Sequence, residues 1–341
     1  MENEVMPSRV LILYAGGTIG MTRADDGFRP TTGFEDVLRR LLREQVAAHL
    51  PDFDVVALQE PIDSANLQPS HWSALARALV LRWQAYDGFV VLHGTDTMAY
   101  SASALSFMLR GADKPVIFTG AQIPLGEPDS DALGNVLGAL MLAGRYPIPE
   151  VCLYFSGRLL RGNRSTKLAS EAFDAFDSPN YPHLADVGAD VALHTEALLA
   201  PATRAFLVPR FDAEAVAVLP IYPGISARIV DAIAGSPRVR GLVLRTYGVG
   251  NAPDAQLTFM DSLSRAIGRG IVVLNTTQCV RGRVLQGTYA TGAALDRIGV
   301  LPGGDMTLEA AFAKLHFVLA STADAEVVRR VLAESLCGEV S

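Results

Sequence analysis

The sequence predicts an α/β chain on a mainly parallel sheet, divided into two domains. Three observations carry that prediction. Apolar runs of strand length alternate with longer stretches of helix length along most of the chain. Two of the strands end in glycine turns, and one long proline-bearing stretch interrupts the alternation.

In order, Arg9–Tyr14 reads as a buried strand, because VLILYA is an unbroken apolar run closed by Gly16–Gly17. Phe34–Leu50 reads as a helix and Asp54–Leu58 as the next strand. A helix over Pro69–Ala85 leads to a strand at Phe89–His93, the apolar core of GFVVLH. Then follow a helix from Asp96 to Arg110, a strand at Val116–Thr119, a helix from Ser130 to Ala143 and a strand at Val151–Phe155. The stretch from Asp174 to Phe211 holds Pro179, Pro182, Pro201 and Pro209 and reads as irregular. Its second half is taken as a linker, giving a first domain of residues 1–192, a linker over 193–212 and a second domain over 213–341. The alternation resumes with strand Ala215–Ile221, helix Ser226–Ala234, strand Gly241–Thr246, helix Asp254–Ile267 and strand Ile271–Asn275. Helices at Thr307–Ala320 and Ala323–Leu336 end it.

Bulk properties narrow the function. With 341 residues, 50% hydrophobic and 19% charged, the chain can bury two sizeable cores. Its apolar runs fall far short of the roughly 20 residues of a membrane helix. The start, MENEVMPSRV, lacks a basic n-region and does not read as a signal peptide. Cys152, Cys279 and Cys337 are odd in number and scattered, with no CxxC, which argues against a disulfide framework or zinc site and fits a cytoplasmic, reducing location. A net charge of −7 argues against nucleic acid as the main partner. Only three lysines occur, Lys114, Lys167 and Lys314, so each invites a reason.

Two segments share one design. In LILYAGGTIG a strand turns through Gly16–Gly17 to Thr18, and in FVVLHGTDT another turns through Gly94 to Thr95–Asp96 and opens a helix. Both set a threonine at the carboxyl end of a strand, the edge where open α/β sheets bind ligands. The plain alternative is helix capping and ordinary turns. A dinucleotide fingerprint fails, since the spacing is G-G-x-x-G and the next strand starts only near Asp54. No G-x-S-x-G elbow occurs, and the six histidines show no ligand spacing. RLLRGNRSTK packs Arg158, Arg161, Arg164 and Lys167 into ten residues, either a solvated basic loop, a phosphate site or the source of a general base. A lysine base must be partly desolvated to work near neutral pH. Asp63 and Ser64, after a strand, suit an α-ammonium and an α-carboxylate, or simply form an Asx turn.

Strand–GGTIG, HGTDTMAYSASALSFML, RGNRSTK, LRTYGVGN and NTTQC, in this order, resemble the bacterial type I L-asparaginases over nearly the whole chain. The resemblance implies a larger N-terminal and a smaller C-terminal α/β domain, sites completed across a dimer, and usually a dimer-of-dimers tetramer. It implies hydrolysis of L-asparagine with no metal or other cofactor. Thr18 would be the nucleophile, Thr95, Asp96 and Lys167 a second polar triad, and Asp63 and Ser64 the grip on the amino-acid end. It further implies a second, allosteric asparagine site with Thr166, Arg245, Asn251 and Cys279. The chain departs from the pattern at Phe28 in the loop Met21–Pro30, where tyrosine is usual, at Ala121, where serine is usual, and at Pro128–Asp129. An aminoacyl-tRNA amidotransferase subunit, a glutaminase and a non-catalytic amino-acid sensor are the competing readings.

Overall fold

The structure, a computed structural model, describes residues 8–24, 27–30, 33–44, 50–202, 204–287 and 290–341. The chain divides into two compact units, Met1–Val208 and Pro209–Ser341.

The first unit opens with β1 (Arg9–Gly16) and a hairpin of β2 (Met21–Ala24) and β3 (Gly27–Pro30). There follow α1 (Phe34–Glu44), β4 (Asp52–Ile62), α2 (Pro69–Val80), β5 (Gly88–Leu92) and α3 (Met98–Met108). Next come β6 (Val116–Thr119), α4 (Ala132–Arg145), β7 (Val151–Phe155) and β8 (Arg158–Arg161). A two-stranded ladder, β9 (Thr166–Lys167) with β10 (Phe176–Asp177), precedes β11 (Ala185–Val187) and β12 (Val191–Leu193).

Eight of these strands form one sheet, in the order β12-β11-β8-β7-β6-β5-β1-β4. The five from β7 to β4 are parallel; β8, β11 and β12 extend the sheet antiparallel. β1 has β4 on one side and β5 on the other, so the winding reverses there and leaves a crevice at the carboxyl ends of β1 and β5. Val10, Ile12 and Tyr14 point into an apolar cluster with α1 and α4. On the other face α3, with α2 beside it, covers β6 and β7. β5 is flanked on both edges and covered on both faces, so all five residues are buried and its sequence is a continuous apolar run.

The second unit is a smaller parallel sheet, β13 (Val216–Pro220), β14 (Gly241–Thr246), β15 (Val272–Thr277) and β16 (Leu301–Pro302), in that order. α5 (Ala227–Gly235), α6 (Leu257–Gly268) and α7 (Ala290–Arg297) share one apolar cluster with it. α8 (Leu308–Ser321) packs on β13, β14 and β15, and α9 (Ala325–Ala333) packs on α8. Buried in α8, Lys314 pairs with the equally buried Glu339 at 2.7 Å and donates to the carbonyls of Leu332 and Glu334. Glu339 also accepts from the amides of Leu336 and Cys337, so both charges are fully hydrogen-bonded.

The mainly parallel α/β architecture is as the sequence predicts. The helix from Phe34 is described as far as Glu44; residues 45–49 of its expected span lie outside the described residues, and Leu50 lies in a bend. The stretch from Asp174 is not irregular throughout, since β10, β11 and β12 fall in it. Residues 193–208, taken from sequence as the start of the linker, belong to the first unit. There Ala197 accepts from Arg161 and Tyr181, and the Leu199 amide donates to Glu150. Among the described residues no helix is long and apolar enough to cross a membrane.

Candidate active site

Parallel pairing of β4, β1 and β5 opens their carboxyl ends on one edge, where the three following turns meet. Glycine makes that meeting possible. A Cβ on Gly16 would lie 2.3 Å from the Ile62 carbonyl oxygen, one on Gly17 2.3 Å from the Gly94 nitrogen, and one on Gly94 2.4 Å from Ser64 Oγ. Gly16 and Gly17 also hold φ angles of 121° and 92°, which strain any side chain. The turns that carry Thr18, Ser64 and Thr95 are therefore packed backbone to backbone.

Each turn is braced. Thr97 donates to the Ser64 carbonyl at 2.8 Å, tying the turn after β5 to the turn after β4. Exposed Asp63 accepts from the Ala65 amide and from Asn66 Nδ2, the Asx-type turn weighed from sequence. His93 is buried behind the site. Its Nδ1 donates to the Gly94 carbonyl at 2.8 Å, which leaves Nε2 to accept from Ser101 of α3 at 3.0 Å. Burial drives its pKa down to about 4, with His71 lowering it further and the Gly94 bond opposing. The ring is a neutral brace.

Lys167 reaches this edge by a longer route. β7 turns into β8 through Ser156–Gly157, both at positive φ (48° and 80°), a two-residue hairpin turn held by Asn135 accepting from the Ser156 amide. The chain then passes α3 at Gly162, where a Cβ would crowd the Val151 carbonyl and Ser106. The small buried residues Ala102, Ser103 and Ser106 give it room. The basic residues here are neither a solvated loop nor an open phosphate site. Arg161 is buried against Glu150 at 2.6 Å, and Arg164, 2% exposed, lies over the Tyr181 ring. These buried contacts fix the path into β9.

At its end Lys167 Nζ donates to Thr95 Oγ1 at 2.8 Å and to Asp96 Oδ1 at 2.9 Å. Thr95 is 6% exposed, whereas the Asp96 side chain is 62% exposed, so the triad spans from the wall of the crevice to its mouth. Thr95 Oγ1 also donates to Gln122 Oε1 at 3.3 Å. Gln122 in turn donates to the carbonyls of Ser170 and Ala172, and Asp131 accepts from its amide. Half-buried Thr18 forms no side-chain hydrogen bond among the described residues. Asp96 thus pairs with Lys167, while exposed Asp63 stands in the turn after β4 that Thr97 ties to the turn after β5.

Of the sequence candidates, the structure joins Thr95, Asp96 and Lys167 directly, and brings Ser64 and the Thr18 turn against Gly94. Thr166 adjoins Lys167 in β9. Arg245, Asn251 and Cys279 lie in the second unit, at the carboxyl ends of β14 and β15. Arg245 donates to the Thr277 carbonyl at 3.4 Å, its Nε has no hydrogen-bond partner among the described residues, and Cys279 is exposed. Ala121 is buried in the apolar cluster with Ala132 and Val136, and Asp129 sits at φ 58°. The side chain of Phe28 lies outside the described residues. Gln122, Asp131 and the Glu150–Arg161 pair went unforeseen. Gln122 alone had a signal, its place just beyond the end of β6. Among the described residues no group of three or more His, Cys, Asp or Glu is placed to hold a metal ion.

Comparison with known proteins agrees with this geometry. Residues 9–199 match the family model described as asparaginase, N-terminal, and residues 215–332 that of the glutaminase/asparaginase C-terminal domain. The chain is 45% identical over 336 residues to L-asparaginase 1 of Escherichia coli K12, covering 97% of this chain and 98% of that protein. Among solved structures it is similar to L-asparaginase I of Vibrio cholerae, with a TM-score of 0.90, 40% identity and coverage of 98% and 100%. The L-asparaginase of Thermococcus kodakarensis superposes with a TM-score of 0.89 at 32% identity, covering 98% of this chain and 99% of that one.

Proposed function

Since this chain belongs to the asparaginase family, we propose that it hydrolyses the side-chain amide of L-asparagine to L-aspartate and ammonia. The observation that carries the reading is the Thr95–Lys167–Asp96 triad, with Lys167 2.8 Å from Thr95, at the switch point of a parallel sheet.

In this reading Asp63 and Asp96 receive the substrate α-ammonium, and Ser64 donates to its α-carboxylate. The support is that both carboxylates are exposed, on turns that the Thr97–Ser64 bond ties together. Thr18 Oγ attacks the amide carbon; its proton goes to the departing nitrogen, which leaves as ammonia, and an ester on Thr18 remains. Water then adds to the ester carbon, giving up a proton at the Thr95–Lys167 pair, and the Thr18 oxygen leaves as a hydroxyl. The Thr95 turn opens α3, so backbone amides face developing negative charge there. Thr18 hydroxyl's lack of a fixed partner among the described residues suits a group that must turn toward substrate. Ammonia release from L-asparagine and from L-glutamine over a wide concentration range tests this. Turnover of asparagine is expected to exceed that of glutamine, and absence of both would refute the assignment.

The same reading includes activation by asparagine at a second site. Arg245 would clamp its α-carboxylate, with Asn251 and Cys279 nearby, and Thr166 would pass the effect to Lys167. The support is the Arg245 guanidinium, half-buried with one donor unused among the described residues. Self-association as a dimer or tetramer and a cytoplasmic location complete the proposal; the three free cysteines suit a reducing compartment.

A further inference from the structure

The ladder that carries Lys167 is only two residues deep, with Lys167 opposite Phe176 and Thr166 opposite Asp177. The residues between the two strands, from 168 to 174, are largely exposed. Besides the bonds of Lys167 itself and those of Gln122 to Ser170 and Ala172, the ladder is held on its β10 side. Phe176 packs on Phe155 with ring centroids 5.1 Å apart. Asp177 accepts from His183 Nε2 at 3.2 Å, while His183 Nδ1 lies 3.0 Å from Asp186 of β11 in the main sheet.

Both ring nitrogens of His183 thus face carboxylate oxygens, which only accept. The arrangement is complete when the ring is an imidazolium donating from both nitrogens. In the neutral ring one nitrogen lone pair confronts a carboxylate, and one of the two ties is lost. The surrounding charges are few. Asp186 is shared with His194 Nε2 at 3.1 Å, His194 Nδ1 lies 3.9 Å from Glu196, and Arg158 of β8 acts on Asp177. Burial raises the Asp177 carboxyl, but the bonds from His183 and the Ser178 amide outweigh it and hold it below the usual range.

We propose that His183 is a positioning residue for Lys167, its ring tying β10 to β11 through Asp177 and Asp186 and so fixing the ladder that brings Lys167 to Thr95. The inference rests on the role given above to Lys167. Three lysines make it directly measurable, since [ε-13C]lysine labelling of the full chain gives three side-chain signals. Lys167→Met identifies that of Lys167. At neutral pH His183→Gln is expected to move or broaden the Lys167 signal, leaving the Lys114 and Lys314 signals in place. kcat should fall while KM stays within about twofold. His194→Gln, which leaves Asp177 untouched, should behave as the unmodified chain. Asp186→Asn, at the other end of the tie, replaces His183→Gln if that variant does not fold. A Lys167 signal unchanged between the unmodified chain and the folded variant would overturn the proposal. Should Lys167→Met keep turnover, the catalytic reading falls, and the lysine signal still decides the tie.

Discussion

Acidification from pH 7 to pH 4 should weaken the first unit by about 3 kcal/mol through His93 alone. In the folded unit burial keeps this ring neutral down to about pH 4, whereas in an unfolded chain it protonates near 6.5. Between those values the unfolded state binds the extra proton, so stability rises with pH and is lost as pH falls. A gap of about 2.5 units, at about 1.4 kcal/mol per unit, is worth about 3.5 kcal/mol in full, of which about 3 kcal/mol is lost by pH 4. That is a large share of a typical total of about 5–15 kcal/mol. Urea unfolding followed by tryptophan fluorescence reads this unit selectively, because both tryptophans, Trp72 and Trp83, lie in it. His93→Gln offers the comparison, since glutamine can donate to Gly94 and accept from Ser101 but has no proton to gain. The unmodified protein should lose about 3 kcal/mol more than the variant between pH 7 and 4. Equal losses in the two proteins, or a His93 ring that titrates near 6.5 in the folded state by NMR, would refute the reasoning.

Other perturbations test the site and its supports. Thr18→Ala and Thr95→Ala should each lower turnover by roughly 10³-fold or more, with the unfolding midpoint nearly unchanged; near-normal activity in Thr18→Ala would remove it as nucleophile. Lys167→Arg should be almost as inactive as Lys167→Met, because a guanidinium keeps the charge but cannot give up its proton; an active arginine variant would end the proton-relay idea. Glu150→Ala should cost about 3–5 kcal/mol by stranding buried Arg161, and a loss under 1 kcal/mol in urea unfolding would contradict that account. Velocity against asparagine should be sigmoidal, and Arg245→Ala should make it hyperbolic, with a coupling of about 1–3 kcal/mol lost; a hyperbolic curve for the unmodified chain would leave the second site without support.

What could be read in the sequence was what short-range physics controls. Val116–Thr119, Val151–Phe155 and Gly241–Thr246 match their expected limits, because buried parallel strands are unbroken apolar runs closed by turns. β8, β10, β11 and β12 were not foreseen. They are antiparallel pieces of two to four residues, too short for a periodic pattern, and β11 joins the sheet only by pairing with β8, far along the chain. The threonines of the site were visible because glycine turns at strand ends announce it. Lys167 stood out as one of three lysines and as one base among four in RLLRGNRSTK. What separates it from Arg161 and Arg164 is that those two are buried on Glu150 and Tyr181, a difference set by tertiary contacts. The Gln122 contact to Thr95 lies likewise beyond local pattern, since it spans 27 residues.

The three lysines have a practical consequence for covalent coupling. Lys114 donates to the carbonyls of Trp83 and Tyr86, both at 2.8 Å, and lies over the Trp83 ring. Lys314 is sealed inside the second unit, and Lys167 stands in the crevice. Positive charge elsewhere on the fold is carried by arginine, which does not react with active esters or aldehydes as a primary amine does. Reagents that attach polymers or supports through lysine would therefore find few side-chain handles, and one of them is in the candidate active site. The exposed thiol of Cys279 is an alternative handle, since the other two cysteines are buried, though it adjoins the proposed regulatory site. Exposed carboxylates outside the crevice provide a further route, provided that Asp63 and Asp96, themselves exposed, are protected during the coupling.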